Sequence, residues 1–420
     1  MRTPFLPLGL AALLLCPLSG VRGADTAPGA PPVSLSTLGP GTPLTLDAAQ
    51  ALAAERSPLL SAAARELDAA DGARQQAGAW RNPEFTASVE DLRASSRTTT
   101  ATLGLPLELG GKREARIAAA EQGQALARAE LAGARAQLRA EVARAFFELL
   151  VAQERAVLAA GSAELAARGA NAVARRVAAG KVSPVDETRA RVDEANARIE
   201  AAEAAAALQS ARRTLAALWN DEAPAFAEAR GDVEALPERG GGTELLAALD
   251  AAPGLAAGRT ETERRRALLA LERARRTPDL TVSLGARRDA ELGRTQAVVG
   301  LSIPLPVFDR NQGAIREAAA RLDKADDEYR ALRARLGAEL QQAATQLASA
   351  RATAQALNTM VLPAARQAHE AASRGFEAGK FGFLDVIDAQ RALLQARTRY
   401  LAALAAAHQA AAAIDRVLGP

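Results

Sequence analysis

Glu84-Phe85-Thr86-Ala87-Ser88-Val89-Glu90 sets Phe85, Ala87 and Val89 against Glu84, Thr86, Ser88 and Glu90 in strict alternation. Side chains alternate along a strand, so this period of two predicts a strand with one apolar and one polar face. The pattern returns three times. In 98–107, Ala101, Leu103, Leu105 and Leu107 alternate with Thr100, Thr102 and Gly104. In 279–287, Leu280, Val282, Leu284 and Ala286 alternate with Asp279, Thr281, Ser283, Gly285 and Arg287. In 296–305, Ala297, Val299, Leu301, Ile303 and Leu305 alternate with Gln296, Gly300 and Ser302, and Val298 interrupts the polar face. The strands are placed at 83–91, 98–107, 278–288 and 295–306.

Two architectures accommodate such strands. They are soluble hairpins with their apolar faces on a protein core, or a membrane barrel with the apolar face to lipid and the polar face to water. Each strand is near the ~9–11 residues that cross a bilayer when tilted. Trp80 before the first strand and Phe308 after the fourth fit interfacial aromatics. Both points favour the barrel. Four strands cannot close one, because the smallest common membrane barrels have about eight. An open edge in lipid leaves backbone groups unpaired at several kcal/mol each. Several chains must then share the barrel, and three would supply twelve strands. The pattern alone does not fix that number.

The rest of the chain is helix-forming. Of 420 residues, 108 are alanine and only 3% are aromatic. Alanine with Leu, Arg, Glu and Gln is the mixture of long helices and coiled coils. There are 52 Lys+Arg against 49 Asp+Glu, a formal net charge of +3. Arg2 and Arg22 lie in a leader, so the mature chain carries about +1, which argues against a nucleic-acid partner. The one Cys is in the leader and His369 and His408 are far apart, which argues against a Cys/His zinc enzyme. No nucleophile–base pair, phosphate loop or ligand-spaced cluster marks an enzyme, and no cofactor or metal site is expected.

Residues 1–23 read as a secretory signal, with Arg2 at the start, an apolar run from Phe5 to Leu18 and cleavage before Ala24. The alternative is lipidation of Cys16, which Leu15 in the preceding position disfavours. No later run reaches 18 consecutive apolar residues, so no membrane-crossing helix is expected.

Landmarks recur at a nearly fixed offset. Arg81-Asn82-Pro83-Glu84 resembles Arg276-Thr277-Pro278-Asp279, and Leu105-Pro106-Leu107 resembles Ile303-Pro304-Leu305. Ala179-Gly180-Lys181 and Asp186 return as Ala378-Gly379-Lys380 and Asp385. The chain is a duplication. After a Pro/Gly/Ser-rich segment 24–43, a first repeat spans 44–220, a connector 221–242 and a second repeat 243–420. Each repeat opens with a helix, from Thr45 as N-cap towards Ala79 and again over about 243–275. The two strands follow, then a long helix at 112–178 or 311–377, a turn, and a shorter helix at 184–219 or 384–418. Leu131, Leu138, Val142, Phe146 and Leu149 form a coiled-coil-like seam. Pro363, where the first repeat has Glu164, predicts a local kink. Arg264-Arg265-Arg266 and Asp326-Asp327-Glu328 read as solvated or inter-helix faces, and His369 and His408 as incidental.

The turns carry strong local signals. Gly180-Lys181-Val182 ends one helix, and Ser183-Pro184-Val185-Asp186 begins the next with Ser at N-cap, Pro at N1 and an acid at N3. Gly379-Lys380-Phe381-Gly382 precedes Asp385, and Asp385 and Asp388 share a helix face.

The whole pattern resembles the outer membrane factor family, the TolC-like channels. Leu44-Thr45-Leu46-Asp47-Ala48-Ala49 with Ser57-Pro58, and Phe376-Glu377-Ala378-Gly379-Lys380 with Leu384-Asp385-Val386-Ile387-Asp388-Ala389, carry the resemblance. Ile303-Pro304-Leu305-Pro306-Val307-Phe308-Asp309-Arg310-Asn311-Gln312-Gly313 is similar to the branch serving cobalt–zinc–cadmium type heavy-metal efflux pumps. The resemblance implies a mainly α protein with membrane β: a long coiled-coil α-barrel plus four strands per chain completing a 12-stranded β-barrel in a homotrimer. It implies an exit duct in the Gram-negative outer membrane that extends into the periplasm and does no chemistry. Its partners would be a periplasmic adaptor (membrane fusion protein), an inner-membrane RND pump and outer-membrane lipid. Asp385 and Asp388 would ring the periplasmic entrance. Gly180, Lys181, Val182, Pro184, Asp186, Gly379, Lys380 and Phe381 would form adaptor-contacting tips. The family's basic entrance lock is not carried over, because Phe381 stands near its place. The same fold could instead serve drug efflux or type I protein secretion. A soluble periplasmic coiled-coil scaffold or adaptor is the alternative of another class.

Overall fold

The computed structural model describes residues 42–91 and 93–419, so the leader, Cys16 and most of the segment 24–43 lie outside the described residues. Helices α1 (Leu46–Arg56) and α2 (Pro58–Gly78) lead into strands β1 (Glu84–Glu90) and β2 (Thr98–Leu107). The first repeat then runs through α3 (Lys112–Ala178) and α4 (Pro184–Ala217). The second contains α5 (Gly242–Ala248), α6 (Pro253–Ala274), β3 (Leu280–Asp289), β4 (Arg294–Ser302), α7 (Gln312–Ala356), α8 (Leu362–Glu377) and α9 (Phe383–Leu418).

Prolines correct several expected boundaries. The single helix from Thr45 to Ala79 is two, because Pro58 forces Ser57 out of the helical region (ψ 121°). Pro253 does the same in the second repeat, where α5 passes through a 3₁₀ turn (Leu249–Ala251) before α6 begins. Strand β4 ends at Ser302 rather than 306, since Pro304 and Pro306 have no N–H to donate to a ladder. The 67 residues of α3 are unbroken, about 100 Å at 1.5 Å per residue. Its counterpart is broken by a π turn, Leu357–Val361, just before Pro363. Pro363 cannot donate to the carbonyl four residues back, and the wider π turn just before it is where the helix accommodates the missing hydrogen bond.

The four strands form one antiparallel sheet in the order β1-β2-β3-β4, with β2 of the first repeat paired to β3 of the second. The register aligns the faces across all four strands. Phe85, Leu103, Leu284 and Val299 stand in one row, and Ala87, Ala101, Ala286 and Ala297 in the next. Leu105, Val282 and Leu301 form a third. On the other face, Glu84, Gly104, Ser283 and Gly300 make one row, and Ser88, Thr100, Arg287 and Gln296 another. Val298 is the apolar exception on the polar face.

The protein core lies in the helices. Leu138, Val142, Phe146 and Leu149 of the predicted seam are buried in one cluster with Leu44, Leu215, Tyr400 and Leu404. The connector belongs to this cluster through Phe226, Ala229 and Val233. Leu44 forms a parallel bridge with Ala229, and the Gln153 amide brackets the Ala229 backbone, accepting its N–H at 2.7 Å and donating to its carbonyl at 2.9 Å. His408 is therefore not incidental. It is buried, stacks on Phe147 at 3.7 Å between ring centres, and its Nε2 lies 3.0 Å from the Val233 carbonyl oxygen. Burial lowers its pKa, against the opposing effects of that carbonyl and Asp232.

The expectation of no membrane-crossing helix needs a qualification. Within α9, between Leu384 and Leu418, one 18-residue stretch is apolar enough to cross a bilayer by length and composition, with a mean hydropathy of 1.2. Just over half of that stretch, 56%, is buried, and Ala396, Leu404, Ala407, Ala411, Ile414 and Val417 lie in the core against the other helices.

Candidate functional site

The sheet's apolar face is bare. Phe85 is 70% exposed, Leu284 65%, Val299 76% and Leu301 70%. Polar-face positions are the more covered ones, with Thr98 and Gly104 buried and Ser283 and Gly285 half-buried. This inverts the arrangement of a water-soluble sheet and overturns the soluble-hairpin reading, which needed the apolar face on protein. Burying one such side chain is worth about 1.5–3 kcal/mol. Leaving four or five in water would forgo about 10 kcal/mol, as much as the whole stability of a typical domain. The outer edges of β1 and β4 carry no partner strand among the described residues. Trp80 and Phe308 are 74% and 92% exposed beside the helical end of the sheet. The Arg113 guanidinium stands 4.7 Å from the centre of the Trp80 ring, a pairing of charge and aromatic suited to an interface.

A collar of ion pairs joins this sheet to the helices. Glu108, directly after β2, is only 4% exposed and takes Arg116 through both carboxylate oxygens and Arg81 at 3.3 Å. The Arg116 hydrogen bond, ahead of Arg81, holds the Glu108 carboxyl below the usual range despite its burial. Arg116 also donates to the Ala77 and Ala79 carbonyls, and Arg113 to Gly78, which ties the end of α2 to α3. Lys112 pairs with Asp279, so the first repeat is fastened to the second at the foot of the sheet. Asn311 makes the related contact in the second repeat by donating to Glu272. Arg81, Asp279 and Asn311 stand in the landmark motifs, but none of these pairings follows from sequence, because the partners lie 8 to 167 residues apart and no local pattern links them.

At the opposite ends of the long helices are the two turns. Gly180 (φ 67°) and Gly379 (φ 70°) adopt the left-handed geometry that ends a helix. Lys181 N–H returns to the Arg176 carbonyl at 2.9 Å and Lys380 N–H to Gly375 at 2.8 Å, so both turns close alike. Ser183 Oγ accepts the Val185 N–H at 3.2 Å, and Pro184 opens α4. In the second turn Asp385 accepts the Gly382 N–H at 2.9 Å, which makes it a helix cap. Asp385 and Asp388 are both exposed. Phe381, about half-exposed, lies against Gly375, where a Cβ would collide with its ring. Arg176 stacks on Phe376 at 4.0 Å, which brings the two turns of the repeats side by side. Arg391 pairs with Asp193, linking α9 to α4. Val182 packs on Ala170, Val173 and Ala190, whereas Lys181 and Asp186 have no ion-pair partner among the described residues.

The charge clusters resolve into local pairs. Arg264 and Arg265 share Glu261, Arg266 takes Glu263, and Asp327 takes Arg330. Among the described residues no group of three or more His, Cys, Asp or Glu could hold a metal ion.

Known proteins place this architecture. The family model for outer membrane efflux proteins matches residues 50–221 and 245–420. The chain is 55% identical to the cobalt-zinc-cadmium resistance protein CzcC of Cupriavidus metallidurans, over the full length of both. A membrane protein from Pseudomonas aeruginosa superposes with a TM-score of 0.77 at 21% identity, covering 89% of this chain and 92% of that one. The open state of the MtrE outer membrane channel of Neisseria gonorrhoeae superposes at 0.75 and 22% identity, covering 89% and 88%. These two likenesses establish the fold.

Proposed function

The chain belongs to the outer membrane efflux protein family, and from that premise we propose that it is the exit duct of a tripartite efflux system. The observation that carries the reading is the four-stranded sheet, bare on its apolar face and open at both edges. Lipid covers the face and neighbouring copies pair the edges, since unpaired backbone groups in hydrocarbon cost several kcal/mol each. Three copies make a twelve-stranded barrel in the outer membrane, and their long helices make the tunnel beneath it in the periplasm. The chain conducts and does no covalent chemistry.

The cargo is divalent heavy-metal cations, by the full-length 55% identity to a cobalt-zinc-cadmium resistance protein. The ion is substrate here and passes through. Exposed Asp385 and Asp388, three residues apart on α9, would form two acidic rings at the periplasmic entrance of a trimer and favour cations. A periplasmic adaptor docks on the tips at Gly180, Lys181, Val182, Pro184, Asp186, Gly379, Lys380 and Phe381, and an inner-membrane RND pump supplies the energy.

Light scattering on protein extracted from a purified outer-membrane fraction tests the assembly, and a trimer is expected. A deletion strain tests the cargo. It should become sensitive to zinc, cobalt and cadmium, with drug tolerance unchanged. Drug sensitivity without metal sensitivity would move the same duct to organic cargo. A monomer in the soluble periplasm would end the channel reading.

A further inference from the structure

The far end of the sheet holds charge on the face where lipid is expected. Thr99 pairs with Arg288, and Arg97 extends the ladder by accepting the Ala290 N–H at 3.0 Å. Alternation then puts Arg97 and Arg288 on the same face as Leu103 and Leu284, as diagonal neighbours with Cβ atoms about 7–8 Å apart in an ordinary ladder. Both are exposed. Two like charges at that spacing repel unless an anion lies between them.

Asp91, next to the end of β1, and Asp289 are the nearby acids, and among the described residues neither forms an ion pair with Arg97 or Arg288. Asp91 accepts the Ser96 hydroxyl at 2.6 Å and the Arg93 N–H at 3.0 Å, which hold its carboxyl below the usual range. Asp289 is on the polar face and accepts the N–H groups of Glu291 at 3.0 Å and Leu292 at 3.1 Å. Among the described residues neither Arg97 nor Arg288 has a carboxylate partner. Their depth is also set by the register. From Leu107 to Arg97 is ten residues, about 33 Å along a strand. A tilt near 40° reduces this to about 25 Å, the height of the apolar band of a membrane barrel. Trp80 and Phe308 mark one edge of the band, and the arginine pair marks the other.

We infer that Arg97 and Arg288 form a phosphate-binding site for the phosphorylated glycolipid of the outer leaflet, taken on the outside of the barrel. The inference rests on the membrane-barrel reading. Two guanidinium forks on an apolar wall match a lipid whose phosphate sits above its acyl chains, because they bind phosphate bidentately while the rows below take the chains. A free phosphate would use the same forks without the wall.

Native mass spectrometry of the detergent-purified trimer tests this with bis-phosphorylated lipid A, its dephosphorylated counterpart and inorganic phosphate. The wild type should retain the phosphorylated lipid, and the R97Q/R288Q double variant should lose at least about tenfold in occupancy. R287Q, one residue along and on the opposite face, should bind as the wild type does. An inserted trimer that takes both lipids equally, or a double variant that binds like the wild type, overturns the site and leaves the barrel standing. Inorganic phosphate displacing the lipid completely assigns the pair to a free anion and also overturns it. A soluble monomer overturns the site and the barrel reading together.

Discussion

Glu108 shows how a single side chain can hold two structural systems together. Its carboxylate is nearly covered and is satisfied by Arg116 and Arg81, so the sheet's foot stays in register with α3. Glu108→Gln keeps the shape and removes the charge, which should cost about 1.5–3 kcal/mol, the worth of a hydrogen bond to a charged group. Urea unfolding of the solubilised protein would read that loss as a lower midpoint. The folded-state pKa lies below the unfolded one, so the stabilisation is complete at neutral pH. It is lost as pH falls below the ordinary glutamate value of about 4.3 and through the lowered folded value. The variant should lack that acid-side increment, and an unchanged pH profile would refute the assignment. Gly375 is a second case. A methyl group there would collide with the Phe381 ring, so Gly375→Ala should push Phe381 off the second turn. Adaptor binding measured by calorimetry should weaken while the circular dichroism of the helices stays the same. The turn residues Gly180, Ser183, Pro184 and Gly379 were legible in the sequence because capping is chemistry between near neighbours. The pairings of Glu108, Lys112 and Asp279 were not, because the fold alone brings them together.

At the scale of elements, legibility follows the range of the interaction. Strand faces follow from alternation alone, and the register bears out the apolar rows across both repeats. The breaks at Ser57-Pro58 and Ala252-Pro253 come from proline geometry, which helical periodicity passes over. The connector 221–242 has no period and gives no hint that Phe226, Ala229 and Val233 enter the core. Its anchor, His408, is a helix residue whose partner is 175 positions away. Desolvation lowers the His408 pKa below its unfolded value, so the folded state holds a neutral ring. Stability should be flat above the unfolded value of about 6.5 and fall as pH drops below it towards the lowered folded value, because the unfolded chain takes the proton first. His408→Gln should flatten this slope while lowering stability at pH 8, through loss of the Phe147 stack. Thermal melts across that range check it, and a wild-type slope persisting in the variant would exclude His408 as its source.

The whole molecule is legible only as a fragment of an assembly. Among the described residues nothing covers the row Phe85, Leu103, Leu284 and Val299, which suits a covering medium from outside the chain. A charge placed there should discriminate lipid from water directly. Leu284→Arg puts a guanidinium near the middle of the apolar band and should cost about 2–4 kcal/mol of membrane stability. Thr102→Arg lies in the adjacent row on the polar face and should be tolerated. Heat-resistant trimer on semi-native gels is the readout, and equal tolerance of both would remove the two-faced barrel. The entrance prediction depends on the same assembly. Asp385 also caps α9, so its loss mixes a helix effect with any effect on ions. The Asp388 side chain makes no hydrogen bond or ion pair among the described residues, and it is the cleaner probe. In the proposed trimer, Asp388→Asn would remove three negative charges from the proposed entrance ring while leaving the Asp385 cap in place. Reversal potentials across planar bilayers with a salt gradient should then shift towards zero, because fewer fixed anions hold cations at the mouth. A variant that keeps the wild-type cation preference would place Asp388 away from the conducting path. The acidic pair would then be reduced to the cap that Asp385 provides.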